Sequence, residues 1–144
     1  MNARRDDSGV DHCAFSNRQN MTTSVNLNEA KLNITTHVLD ISRGLPAGGL
    51  AVCLYKFEND KWILLKESTT GSNGRCADLL QDERENSVPG RFKIEFRVND
   101  YFRRNATNSM YPLIDVVFDV QNPREHYHIP LLLSPFGFTT YRGT

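Results

Sequence analysis

In residues 91–98, Phe92, Ile94, Phe96 and Val98 alternate with Arg91, Lys93, Glu95 and Arg97. A period of two puts the apolar side chains on one face of an extended strand and the charges on the other, which predicts a β-strand lying over a core. Tyr111–Val120 repeats the pattern, with Ile114, Val116, Phe118 and Val120 on one face and Asp115 and Asp119 on the other. Leu50–Phe57 and Trp62–Glu67 read as a hairpin closed by Glu58-Asn59-Asp60-Lys61, because Asn and Asp adopt turn geometry at little cost. Pro46 to Gly49 marks a turn before it. The one helical candidate is Asp78–Glu85, with Leu79 and Leu80 facing inward, Asp78 capping its first turn and Val88-Pro89-Gly90 ending it. Seven or eight strands and one helix suit an all-β sandwich of two packed antiparallel sheets.

A length of 144 residues fits one compact domain. Residues 1–31 are polar and mixed in charge with neither period, and are expected to be a disordered leader; the domain is placed at 32–144. Seventeen basic against 17 acidic residues leave no electrostatic footprint for nucleic acid or an anionic membrane surface. Ile129–Leu133, the longest apolar run, is interrupted by Pro130 and falls far short of the ~20 residues that span a bilayer. Cys13, Cys53 and Cys76 are odd in number and lack zinc-ribbon or disulfide-scaffold spacing, so they are read as reduced thiols. Arg4 and Arg5 are followed by Asp6, Asp7 and Ser8 rather than an apolar stretch, so secretion is not expected.

Of His12, His37, His126 and His128, the last three fall in strand-like segments, where a side chain that titrates near neutral pH is worth locating. In Glu125–Leu133, alternation puts His126 and His128 on one face and Tyr127, Ile129, Leu131 and Leu133 on the other. For an arbitrary His-x-His, two polar positions facing solvent is the commoner reading. With His37 as a third imidazole, the same residues would make an open zinc centre, although no further Cys or acidic ligand stands at diagnostic spacing. Arg75 follows the turn-rich Gly71-Ser72-Asn73-Gly74, which would bring a fixed cation to the start of a strand or loop. The chain's last residues, Phe136 to Thr144, carry aromatic and β-branched side chains, as expected of a docked segment rather than a frayed one.

Leu32-Asn33-Ile34-Thr35-Thr36-His37-Val38-Leu39-Asp40, Gly44-Leu45-Pro46-Ala47, Gly74-Arg75-Cys76, His126-Tyr127-His128-Ile129-Pro130-Leu131-Leu132-Leu133-Ser134-Pro135 and Tyr141-Arg142-Gly143-Thr144 together resemble the transthyretin-related 5-hydroxyisourate hydrolases. The resemblance runs through 32–144. It implies a transthyretin-like sandwich of two four-stranded sheets with one short helix, assembled as a homotetramer (a dimer of dimers) with active sites in a central channel. It also implies hydrolysis of 5-hydroxyisourate to 2-oxo-4-hydroxy-4-carboxy-5-ureidoimidazoline, on the path from urate to allantoin, without metal or cofactor. Carried over position by position, the catalytic set is His37, Arg75, His128, Tyr141, Arg142, Gly143 and Thr144, with His37, Arg75 and Tyr141 binding substrate. His126 lies outside that set. Thr144 stands where Ser is usual in the family; it keeps the hydroxyl and adds a stiffening methyl.

Hydrolysis of a cyclic amide needs a deprotonated nucleophile, stabilisation of the developing oxyanion and a proton for the departing nitrogen. His37 or His128 is expected to activate water while the other holds or returns a proton, with Arg75 and Arg142 orienting substrate and countering oxyanion charge. The other readings are a zinc hydrolase, a non-enzymatic transthyretin-like carrier of an aromatic small molecule, and a structural interaction module. Eukaryotic members of the family are often peroxisomal. Arg5 to Cys13 has the spacing of an amino-terminal peroxisomal signal with poor matches at Asp6 and Cys13, so peroxisome and cytoplasm are both expected locations.

Overall fold

The computed structural model describes residues 31–81 and 89–144. Within them run β1 (Asn33–Asp40), β2 (Leu45–Pro46), β3 (Ala51–Glu58), β4 (Lys61–Thr69), β5 (Arg75–Gln81), β6 (Gly90–Phe96), α1 (Val98–Arg104), β7 (Ile114–Val120), β8 (His126–Ser134) and β9 (Gly137–Thr140). One sheet has the order β4-β3-β6-β7. The other is β5-β1-β8-β9, with the two-residue β2 sharing the β5 edge of β1. These are the two four-stranded sheets expected, with β2 added. The leader expected over 1–31 lies, Lys31 aside, outside the described residues, as do His12 and Cys13.

The pairing departs from expectation in one respect: β1 and β8 run parallel over eight residue pairs, from Asn33 opposite His126 to Asp40 opposite Leu133. A parallel pair needs a long crossover, and here the whole second sheet lies between the two strands in sequence. The two sheets close on each other through their alternating faces. Ile34, Val38, Leu131 and Leu133 of the first meet Val52, Leu54, Ile94 and Phe96 of the second, all fully buried. Each such side chain contributes roughly 1.5–3 kcal/mol when removed from water. The β3–β4 hairpin turns at Asn59 and Asp60, whose φ of 50° and 61° match the left-handed pair that a two-residue turn demands.

The helix is not where the sequence pattern put it. Asp78–Gln81, the described part of the Asp78–Glu85 candidate, belongs to β5. Its register against β1 jumps between Ile34–Leu80 and Thr36–Cys76, so the two extra residues of the bulge break the alternation and leave Leu79-Leu80 looking helical. The helix begins instead at Val98, which ends the alternating run but buries together with Tyr101 and Phe102 at helical spacing. Asp100 in its first turn and Arg103 and Arg104 in its last complement the helix dipole.

α1 is tied to the end of β1 through the buried Asp40. Tyr101 donates its hydroxyl hydrogen to Oδ2 of Asp40 at 2.7 Å, while Oδ1 accepts from the Ser42 hydroxyl at 2.6 Å and from the backbone N–H of Ser42 and Arg43 at 3.0 and 3.2 Å. Leaving such a buried acceptor unpaired would cost about 1–3 kcal/mol, more for a charge. Burial, and then the bond to Asp40, pushes the Tyr101 phenol up, keeping it a donor. No helix among the described residues is long and apolar enough to cross a membrane.

Candidate functional site

Because alternate strand residues share a face, the registers of β1, β5 and β8 decide which side chains meet. Thr35 lies opposite His128 and His37 opposite Pro130, while on the other side of β1 His37 lies opposite Arg75. Thr35, His37 and Leu39 therefore rise with His126, His128 and Pro130 and with Arg75 and Ala77 on the face turned away from the core. The segment after β9 completes the group: the Gly143 N–H donates to the His128 carbonyl at 2.8 Å. Together with Tyr141, Gly143 and Thr144, and with Thr36 and Cys76 beneath, these residues line a cavity of about 490 Å³. No Asp or Glu is among them. The polar lining is three imidazoles, one guanidinium, one phenol and hydroxyls.

His37 is oriented by the turn that the sequence marked beside Arg75. Gly74 has φ +78°, and a Cβ there would run into the Val38 carbonyl. Glycine alone lets the turn close onto β1, where Val38 N–H donates to the Gly74 carbonyl at 2.8 Å. The Asn73 side-chain oxygen accepts from Arg75 N–H at 3.0 Å, and the Asn73 backbone carbonyl stands 2.9 Å from Nε2 of His37. A carbonyl can only accept, so Nε2 carries the proton and Nδ1 is the basic atom of the neutral ring. Arg75 is exposed and pairs with no carboxylate among the described residues, which leaves its donors free for a ligand.

His128 sits half-buried, with Nδ1 2.7 Å from the Thr35 hydroxyl oxygen. Its pKa is held below the ordinary imidazole value, first by desolvation and then by the charges of His126, Arg75 and His37. The ring is therefore neutral at pH 7. The unfolded chain binds the proton more readily, so between the unfolded and the lower folded pKa this group makes stability fall as pH falls. Arg75→Gln removes one of those cations, and the His128 titration midpoint, followed by NMR, should move up from its wild-type position below pH 6.5. An unmoved midpoint would show that Arg75 does not act on His128. Burial pushes the Cys76 thiol up as well, so it stays protonated and is not a thiolate nucleophile at neutral pH.

Six of the seven residues expected at the site line this cavity: His37, Arg75, His128, Tyr141, Gly143 and Thr144. Arg142 does not. Alternation turns it away from Tyr141 and Gly143, and its guanidinium instead reaches Glu125 at 2.6 Å and lies over the Tyr127 ring at 4.5 Å. There it borders a smaller cavity of about 230 Å³ with Val116, Phe118 and Ile129. The Glu125 carboxylate is held below its usual range by that guanidinium. Of the two arginines, Arg75 alone lines the larger cavity.

Thr35 and His126, polar side chains outside the expected set, also line it. The Thr35 hydroxyl oxygen is 2.7 Å from Nε2 of His126 as well as from Nδ1 of His128. The His126 and His128 rings are 6.0 Å apart, centroid to centroid. Thr35 shares the strand face of His37, so alternation from His37 was the signal that could have found it. Among the described residues no group of three or more His, Cys, Asp or Glu side chains is arranged to hold a metal ion.

Residues 34–143 match the family model described as HIUase/Transthyretin family. The 5-hydroxyisourate hydrolase of Mus musculus is 41% identical over 113 residues, covering 77% of this chain and 94% of that protein. Among solved structures, Klebsiella pneumoniae 5-hydroxyisourate hydrolase superposes with a TM-score of 0.67 at 30% identity, covering 78% of this chain and 98% of that one. (S)-allantoin synthase superposes with a TM-score of 0.73 at 31% identity over 81% of this chain; this chain spans 45% of its length.

Proposed function

This chain belongs to the HIUase/Transthyretin family, and on that premise we propose that it hydrolyses 5-hydroxyisourate, opening the six-membered ring to 2-oxo-4-hydroxy-4-carboxy-5-ureidoimidazoline. The observation that carries the proposal is the convergence of His37, His128 and Arg75 in one cavity free of acidic side chains. Such a lining suits an electron-rich, oxygen-bearing heterocycle, whose developing negative charge the Arg75 guanidinium can face.

The three tasks of amide hydrolysis divide among these groups. Water attacks the ring carbonyl as one neutral imidazole takes its proton. The new oxyanion forms within reach of Arg75, whose guanidinium stays charged at any working pH and holds no competing carboxylate. The proton taken from water passes by way of the second imidazole to the departing ring nitrogen, so that both rings end neutral as the C–N bond breaks. Tyr141 and the Thr144 hydroxyl border the same space and can hold the substrate's polar edge.

We also propose the homotetramer, with the cavity opening onto a channel shared between protomers. Ile41, Met110 and Phe136 are 57%, 61% and 71% exposed. Their backbones stand near the β8–β9 turn, since Ile41 N–H bonds the Leu133 carbonyl and Met110 N–H the Pro135 carbonyl. Large exposed apolar side chains of this kind favour burial against another protomer.

Freshly prepared 5-hydroxyisourate, followed by ultraviolet absorbance, should decay faster with the protein than without it, and equally fast after chelation. Decay at the uncatalysed rate would favour a carrier or a structural module. Loss of activity on chelation, recovered with zinc, would favour a metal hydrolase.

A further inference from the structure

The hydroxyl of Thr35 stands at hydrogen-bond distance from two imidazoles at once, Nε2 of His126 and Nδ1 of His128, each at 2.7 Å. It has one hydrogen to give. If both bonds are made with that hydrogen, Thr35 donates to one ring and accepts from the other, so the tautomers of the two rings are tied together. From this geometry we infer that Thr35 and His126 are positioning residues that hold His128 as its Nε2–H tautomer, so that it presents a proton, not a lone pair, to a substrate in the cavity. The inference rests on the hydrolase reading for its consequence in turnover, but not for the tautomer itself.

Two directions are available along His126–Thr35–His128. In one, Nε2–H of His126 donates to Thr35 and Thr35 donates to Nδ1 of His128. Both rings then carry their hydrogen on Nε2, the form a free imidazole side chain favours. In the other, both rings are forced into the Nδ1–H form. The first direction is the one taken, because it keeps both rings in the tautomer a free imidazole side chain favours, while the second forces both out of it. His128 lies deeper, and the positive charges of His126, Arg75 and His37 around it oppose a protonated ring, which suits a neutral donor rather than a base that must become a cation. The base is then His37, whose Nε2 is occupied by the Asn73 carbonyl and whose Nδ1 is free of that bond. His37 and His128 are both Nε2–H tautomers, but His37 is held through Nε2 and His128 through Nδ1, so one cavity has a proton acceptor, Nδ1 of His37, and a hydrogen-bond donor, Nε2–H of His128, at the same pH.

Long-range ¹H–¹⁵N correlation spectra of the whole protein, with histidine labelled, should show His128 protonated at Nε2 and unprotonated at Nδ1. Thr35→Val keeps the shape and removes the hydroxyl; it should convert His128 to a tautomer mixture and lower kcat at least about tenfold, with KM within about twofold of wild type. Thr35→Ser should restore both the spectrum and most of kcat. Adding His126→Ala to Thr35→Val should lower kcat no further, because His126 acts through the hydroxyl. An Nδ1–H form of His128 in the wild type, or full turnover in Thr35→Val, would overturn the proposal, as would a Thr35→Ser variant as impaired as the valine. The spectra need no substrate. Wild-type protein that leaves 5-hydroxyisourate untouched would refute the substrate assignment while the tautomer is still decided by NMR.

Discussion

His128→Ala lowers kcat for 5-hydroxyisourate by about 10²–10⁴-fold, the range expected when a positioned acid or base is removed. Among the described residues the ring's one side-chain hydrogen bond is from Nδ1 to Thr35, while the backbone bond from Gly143 survives truncation, so the loss is chemical rather than structural. His37→Ala should fall in the same range, because it removes the ring oriented by the Asn73 carbonyl. The double variant should be little worse than either single one, since a base without its partner acid accomplishes little. Steady-state rates from ultraviolet absorbance decide the matter, alongside near-ultraviolet circular dichroism as a check on folding. Wild-type turnover in both single variants would remove the imidazoles from the reaction.

How much of this was legible in the sequence depends on the range of the interaction concerned. The alternation of Phe92, Ile94 and Phe96 is local and appears in β6 as read. The same rule carried too far at Val98, where the backbone turns into α1 because Tyr101 and Phe102 bury with it and Tyr101 finds Asp40, 61 residues earlier in the chain. The Leu79-Leu80 pair misled for the opposite reason: a bulge against β1 erased the period, and a bulge is a property of two strands. Among the site residues, His37, Arg75 and His128 stand in motifs long enough to be found individually. That they share one face follows from the registers of β1 with β5 and with β8, the second of which exists only once the other sheet has been crossed. Arg142 could have been placed by alternation alone, since Tyr141 and Gly143 flank it. Alternation from His37 places Thr35 on the same face, but its contact with two imidazoles became visible only when its opposite number in β8 was known.

Gly143→Ala should lower kcat by roughly 10²-fold while leaving the fold intact, the scale of loss that an ångström of misplacement in a reacting group produces. A Cβ at position 143 would stand 2.5 Å from Cδ2 of His128, 3.2 Å from its Cγ and 3.3 Å from Cγ of Pro130. The first distance is far inside van der Waals contact, so one of the two must move. Gly143 is pinned by its 2.8 Å bond to the His128 carbonyl, and Pro130 is rigid, which leaves the imidazole as the yielding part. Rotating it away breaks the 2.7 Å contact of Nδ1 with Thr35 and displaces Nε2, which neighbours Cδ2 in the ring. The role of this glycine is therefore to be absent of side chain, letting the backbone lie flat against the ring. The loss should appear in kcat with little change in thermal midpoint, because Gly143 is outside the core. An alanine variant with full activity would mean that the backbone yields instead, and that the segment after β9 is not what holds His128 in place.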